Sequence, residues 1–233
     1  MNRLYDDDLY RFDLPQRSYW EATAGDLAVD AEPLMSHESC DVAIIGGGYT
    51  GLSAAYHLAR DYDVDVRVVE AGHIGWGASG RNGGFCCMGG TKAGAAELIK
   101  KFGLEEARSW YRAQVESVEL VRRIGTDESL DFWPQGESEY LVAHTPRSFT
   151  ELRDTCDVLT GQLGIDANLI SRDEFRERFY DSTEQYGALP EGPKFGLHPM
   201  LYCLGLAGAA VRNGAILYER SEVDDLSHIH ISE

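Results

Sequence analysis

The sequence predicts an α/β fold, a parallel sheet flanked by helices, with part of an α+β unit inserted into it. Three observations carry that prediction. The apolar run Val42-Ala43-Ile44-Ile45 leads directly into Gly46-x-Gly48-x-x-Gly51. A helical pattern follows at once, with Leu52, Ala55, Tyr56, Leu58 and Ala59 at its apolar positions. A second short apolar run, Val64 to Val69, then ends in Glu70. Strand, glycine turn, helix and a strand closing on an acid is the order of a Rossmann-like βαβ unit that binds a dinucleotide.

Each part of that unit has a physical reason. Gly46 permits the tight turn, Gly48 lets the backbone approach a pyrophosphate, and Gly51 lets the helix pack on the strands. The helix N-terminus turns N–H groups and a partial positive charge toward the phosphates. Glu70 follows Gly51 at close to the expected spacing of about 20 residues. A carboxylate there accepts hydrogen bonds from both ribose hydroxyls and repels a 2′-phosphate, which favours FAD or NAD over NADP.

The next stretch, Ala71 to Phe85, contains Gly77-Ala78-Ser79-Gly80-Arg81-Asn82-Gly83-Gly84. It is too rich in glycine for the interior of a helix or strand. It offers several backbone N–H groups to an anion and one fixed cation, Arg81. Because it begins at a strand end beside the phosphate site, it reads as a second cofactor-binding segment.

Upstream, residues 1–38 read as an irregular arm broken by Pro15 and Pro33, with the cluster Ser18-Tyr19-Trp20 and no role in chemistry. Downstream, residues 91–124 read as helices, with Ala107, Trp110, Tyr111, Val115, Val118, Val121 and Ile124 on one core-facing stripe. A polar break at 126–130 precedes a strand at 139–143. Pro146 starts a helix whose face is Phe149, Leu152, Cys156, Leu159 and Leu163. Ser171-x-x-Glu174 forms a capping box for a short charged helix. Residues 186–199 read as strand and turn, and Pro199 opens a helix closed by Asn213-Gly214. A strand at 215–218 and an extended segment from Ser221 complete the pattern. The expected organisation is an arm at 1–38, a discontinuous cofactor-binding domain at 39–130 and 196–233, and part of a substrate domain at 131–195.

With 233 residues and 43% hydrophobic content, the chain is long and apolar enough to bury a core. No apolar run approaches the roughly 20 residues of a membrane span, and the start lacks a basic region followed by an apolar one. The formal net charge of −18 argues against nucleic acid or an anionic membrane as a partner. Cys40, Cys86, Cys87, Cys156 and Cys203 form no C-x-x-C pair. That gives no metal-site spacing and suits a reducing, cytoplasmic location. Cys86 and Cys87 are adjacent, too close for an unstrained redox pair, and read as small buried fillers.

Taken together, Ile44-Ile45-Gly46-x-Gly48-x-x-Gly51, Val69-Glu70 and Gly77 to Gly84 resemble the FAD-dependent amine and amino-acid oxidases of the D-amino-acid oxidase superfamily. Within that superfamily the gamma-glutamylputrescine oxidoreductase type is most similar. Tyr186 to Leu189, Leu197-His198-Pro199, Gly205-Leu206-Ala207 and Gly214 to Glu219 add to the likeness, which covers about 18–226. The resemblance implies an FAD-binding domain in which Gly46, Gly48, Tyr49, Thr50 and Gly51 hold the pyrophosphate and Glu70 the adenosine ribose. It further implies that Ser79 reaches the pyrophosphate, that Arg81, Asn82, Gly83 and Gly84 run under the isoalloxazine ring, and that Val223 touches the adenine through its backbone. The implied reaction passes a hydride from the α-carbon of a small amine or amino acid to flavin N5. Imine hydrolysis and flavin reoxidation by oxygen or another acceptor follow. No catalytic acid or base is identified. His198-Pro199 reads as a structural turn, with a catalytic His198 as the alternative. Family members are longer, so the chain is expected to be a fragment or a truncated product. An inactive nucleotide-binding remnant and an NAD-dependent enzyme are the competing readings, and the Gly77–Gly84 run counts against the second.

Overall fold

A computed structural model describes residues 6–14, 18–25, 29 and 31–226. Pro15 and residues 227–233, which belong to the expected arm and cofactor domain, lie outside the described residues. In chain order the strands are β1 (Val42–Ile45), β2 (Val66–Val69), β3 (Phe85–Cys86), β4 (Glu139–Val142), β5 (Ile170–Ser171), β6 (Gly187–Glu191), β7 (Phe195–Gly196) and β8 (Ile216–Tyr218). The α-helices are α1 (Tyr19–Thr23), α2 (Tyr49–Tyr62), α3 (Ala95–Phe102), α4 (Leu104–Asp127), α5 (Pro146–Gly161), α6 (Arg172–Arg178) and α7 (Pro199–Arg212).

The chain divides into two compact units. One comprises Met1–Gly84, Ile124–Trp133 and His198–Glu233, the other Phe85–Arg123 and Pro134–Leu197. Residues 85–123 therefore fall in the second unit, where the sequence reading groups them with the glycine turn.

In the first unit β1, β2 and β8 form a parallel sheet in that order. Ile44, Val68 and Leu217 lie in register, as do Ile45, Val69 and Tyr218. β2 is central, and its Val66 and Val68 are fully buried. The crossover is α2, which buries Leu52, Ala55, Tyr56 and Ala59 and stops where Asp63 turns left-handed at φ 53°. α2 packs along α7, a helix that buries Met200, Leu201, Cys203, Leu206 and Ala210. α7 begins with Pro199 in its first turn, where a missing N–H costs nothing, and ends at Asn213-Gly214, with Gly214 at φ 106°. The opposite face of the sheet carries Ala43, Ile45 and Ile216, all exposed.

The second unit holds an antiparallel sheet, β4-β6-β5, and the antiparallel pair β3-β7. Its core joins Ala95 and Leu98 of α3 and Ala107 of α4 to Cys156 and Leu159 of α5, Leu163 and Leu189. That shared core is what binds residues 85–123 into this unit. Lys194 is buried and pairs with Glu139 at 3.0 Å and Glu191 at 2.8 Å, which satisfies its charge. Among the described residues no helix is long and apolar enough to cross a membrane.

Three local expectations are corrected. The arm is not wholly irregular: a 3-10 turn spans Asp7–Tyr10, and Ser18 caps α1 by accepting from the Glu21 N–H at 3.1 Å. The box expected at Ser171 is half made. Ser171 accepts from the Glu174 N–H at 3.3 Å, but the Glu174 carboxylate turns to Arg178 at 2.9 Å. A complete reciprocal box instead opens α5, between Thr145 and Ser148, with serine in place of the usual acid. Cys86 and Cys87 are not buried fillers: Cys86 is half-buried and Cys87 exposed, because they lie at the two-residue strand β3 rather than inside a core. Burial of its sulfur still pushes the Cys86 thiol up to about 11, with Cys87 adding to the effect. Beyond β8 the chain bends at Glu219 and Arg220, with Arg220 at φ 48°, and no strand forms from there to Val223.

Leu189 is fully buried where α5 meets the sheet of the second unit. Leu189→Ala is expected to cost about 2–5 kcal/mol, read as a lowered midpoint in urea unfolding.

Candidate cofactor site

The site lies at the carboxyl ends of β1 and β2, where open α/β sheets bind ligands. The glycine turn is tightly constructed. Gly46 sits at φ 104°, and its N–H donates to the Val69 carbonyl at 2.9 Å. A Cβ on Gly51 would stand 2.1 Å from the Gly46 carbonyl oxygen, so any side chain there would push α2 off the turn. Gly48 caps α2 without a side chain. The amides of Gly48, Tyr49, Thr50 and Gly51 therefore have no carbonyl acceptor within the helix.

Ser79 supplies what the cap lacks. Its hydroxyl accepts from the Tyr49 N–H at 3.0 Å, and its own O–H remains able to donate. The Tyr49 side chain serves packing: its hydroxyl donates to the Pro199 carbonyl at 2.9 Å and its ring meets Tyr202 edge-on.

Glu70 faces the turn. One carboxylate oxygen accepts from the Gly47 N–H at 2.7 Å and the other from the Gly72 N–H at 2.8 Å. Each oxygen keeps a further lone pair. Buried nearby, the Cys203 thiol is pushed up to about 12 by desolvation, with the Glu70 charge adding to the effect, so it is an inert filler. Val223 lies two residues beyond Ser221, whose N–H donates to the Glu70 carbonyl at 2.9 Å.

The loop after Glu70 is held at several points. Ile74 N–H donates to Glu219 Oε1 at 2.7 Å, and Gly75 N–H to the Gly47 carbonyl at 3.0 Å. Arg81 lies over the Trp76 ring at 4.4 Å, and its Nε–H donates to the Gly77 carbonyl at 3.2 Å. Asn82 shapes the end of the loop. Its amide donates to the Ser79 carbonyl at 2.9 Å, and its side-chain oxygen accepts from the Gly84 N–H at 2.9 Å.

His198 is buried and structural. Its Nδ1 accepts from the Leu201 N–H at 3.1 Å, capping α7. Thr23 Oγ1 donates to the Tyr19 carbonyl at 2.7 Å, so it accepts from His198 Nε2–H at 3.0 Å. This network assigns the neutral Nε2–H tautomer, and burial holds the imidazole below its ordinary value. Trp20 and Trp133 meet the ring edge-on at 5.0 and 5.1 Å.

These features test the fit to FAD. First-turn amides without helical acceptors suit a pyrophosphate, a carboxylate with spare lone pairs suits a ribose diol, and the Ser79 hydroxyl stands at the mouth of the helix. The residues fit. Sequence reasoning missed Gly47 and Gly72 as amide partners of Glu70, and also Glu219 and Trp20. Gly47 occupies a variable place in the glycine fingerprint, and Glu219 and Trp20 act across long sequence separations that no local pattern reveals.

The fold and site define a dinucleotide-binding protein of the α/β class. Residues 41–232 match the family described as DAO, FAD dependent oxidoreductase, and the chain belongs to that family. FAD, not NAD, is thus its cofactor. The chain is 34% identical over 218 residues to the gamma-glutamylputrescine oxidoreductase of Escherichia coli K12, a match that covers 91% of this chain and 48% of that protein. It is also 34% identical to the probable oxidoreductase OrdL of Rhizobium meliloti, covering 88% of this chain and 47% of that one. Among solved structures, the glycine oxidase of Bacillus cereus shares the fold with a TM-score of 0.60 at 24% identity, over 81% of this chain and 48% of that one. The chain spans about half the length of the curated relatives it matches.

The His198 network generates a pH prediction. The folded imidazole titrates below its ordinary value of 6.5, so as pH falls the unfolded chain takes up the proton first. Stability from this group is full above about 6.5 and declines below it. Urea unfolding at a series of pH values should show the loss, and His198→Asn, which keeps a capping oxygen, should remove part of the slope.

Proposed function

We propose that this chain provides the FAD-holding part of an oxidoreductase that oxidises the C–N bond of a small amine or amino acid. The observation that carries the reading is the meeting of Glu70, the first turn of α2 and the Ser79 hydroxyl at one end of the parallel sheet. Family membership and the likeness to an enzyme named for gamma-glutamylputrescine support it. When bound, FAD supplies the acceptor for a hydride from the substrate α-carbon, with reoxidation by oxygen or another acceptor.

The chain's own residues bind and orient. The amides of Gly48, Thr50 and Gly51 hold the pyrophosphate with the helix dipole behind them, Tyr49 contributes through its amide's bond to the Ser79 hydroxyl, and Gly46 shapes the turn that presents them. Glu70 accepts from the adenosine ribose hydroxyls while keeping its hold on two backbone amides. Ser79 adds a hydroxyl donor to a phosphate oxygen. Arg81, Asn82, Gly83 and Gly84 would hold the isoalloxazine ring, and the Val223 backbone would hold the adenine. Arg81 favours negative charge on the ring, tempered by its stacking on Trp76. No side chain of the chain is assigned as a proton donor or acceptor.

Glu70→Ala should weaken FAD binding by about tenfold to a hundredfold, the range expected for lost hydrogen bonds to a charged group. Flavin fluorescence during an equilibrium titration reads the change. Unaltered affinity would show that Glu70 does not hold the ribose.

A further inference from the structure

We propose that Trp20, in the arm, is a positioning residue for the cofactor loop and acts through the Asn82–Gly83 peptide. The inference deepens the function proposed above and rests on its reading of Arg81 to Gly84 as the segment beside the flavin ring.

The Trp20 indole N–H donates to the Asn82 carbonyl at 2.8 Å across 62 positions of sequence. The Asn82 side chain has no freedom to replace that contact. Its amide is engaged by the Ser79 and Ala78 carbonyls at 2.9 and 3.3 Å, and its oxygen by the Gly84 N–H at 2.9 Å. In a trans peptide the C=O and the following N–H point in opposite directions. Holding the Asn82 carbonyl toward Trp20 therefore turns the Gly83 N–H away from the arm. Gly83 is exposed, and its N–H has no partner among the described residues. The loop thus presents one oriented donor for an acceptor atom of a planar heterocycle, and the arm sets its direction.

Trp20 is itself held from two sides. Its ring meets His198 edge-on at 5.0 Å and Tyr19 at 5.1 Å. Thr23, one turn further along α1, accepts from His198 Nε2–H at 3.0 Å. His198 is anchored by its bond from the Leu201 amide and by its own N–H, which donates to the Phe132 carbonyl at 2.9 Å. The short helix α1 is thereby latched to the start of α7, with the indole aimed at the loop. A surface arm with no role would need neither the latch nor the aimed donor.

Trp20→Phe keeps an aromatic ring against His198 and removes only the donor. Two readouts test the proposal in the full chain. In the free protein, amide hydrogen exchange at Gly84 should accelerate in the variant, because the Asn82 peptide loses its outer anchor. In the FAD-loaded protein, the dissociation constant should rise about five- to tenfold, as one hydrogen bond would give, and the visible flavin spectrum should shift. Unchanged Gly84 exchange overturns the proposal, as does loss of protection spread evenly over unit one. If the parent chain takes up no FAD, the proposed function fails, and the exchange measurement still decides this inference alone. Should the phenylalanine variant not fold, benzothienylalanine at position 20, with sulfur in place of the indole N–H, gives the same test.

Discussion

One carboxylate ties the cofactor site together. The turn after β1 and the loop after β2 each bring a backbone N–H to Glu70, at Gly47 and at Gly72. An ionised carboxylate is acceptor-only, so it satisfies both donors and still has capacity for a ligand. The main chain of the same residue continues the sheet, its N–H donating to Tyr218 and its carbonyl accepting from Ser221. Glu70 thus fixes the spacing of the two loops while following directly on the central strand. Under the proposed function its interactions are shared between folding and recognition, so a change there would be felt in both.

Charge sets the second constraint. The chain carries a formal net charge of −18, and its long-range field opposes a diphosphate. The site answers with short-range dipoles rather than cations. In the proposed function the first-turn amides of α2 and the Ser79 hydroxyl receive the pyrophosphate, while Arg81 is drawn onto Trp76. Oriented backbone groups keep their strength at contact distance, where the distant charges are screened.

The parts legible in the sequence are those governed by local rules. The β1–α2–β2 unit follows from periodicity and glycine spacing, α7 from Pro199 and Asn213-Gly214, and α5 from its apolar face. The reading of FAD as cofactor followed from Glu70 and the Gly77–Gly84 run. What stayed hidden was set by contacts between distant residues. The arm shows an aromatic cluster, but only the fold brings Trp20 to Asn82 and Thr23 to His198. The Thr145–Ser148 box lacks the acid that makes such boxes visible, and the Ser171 box failed because Arg178 competes for Glu174. The division between the units was obscured because α4 runs through it without a break, while the core of α3, α4 and α5 draws residues 85–123 to the second unit.

The central claim is that Glu70 and the first turn of α2 form an FAD site that discriminates at the adenosine ribose. The most direct measurement is an equilibrium titration of the chain with FAD, followed by flavin fluorescence and repeated with NADP as competitor. The account predicts saturable one-to-one binding of FAD that NADP fails to displace, because a 2′-phosphate would meet the Glu70 carboxylate. Absence of FAD binding, or displacement of FAD by NADP, would contradict it.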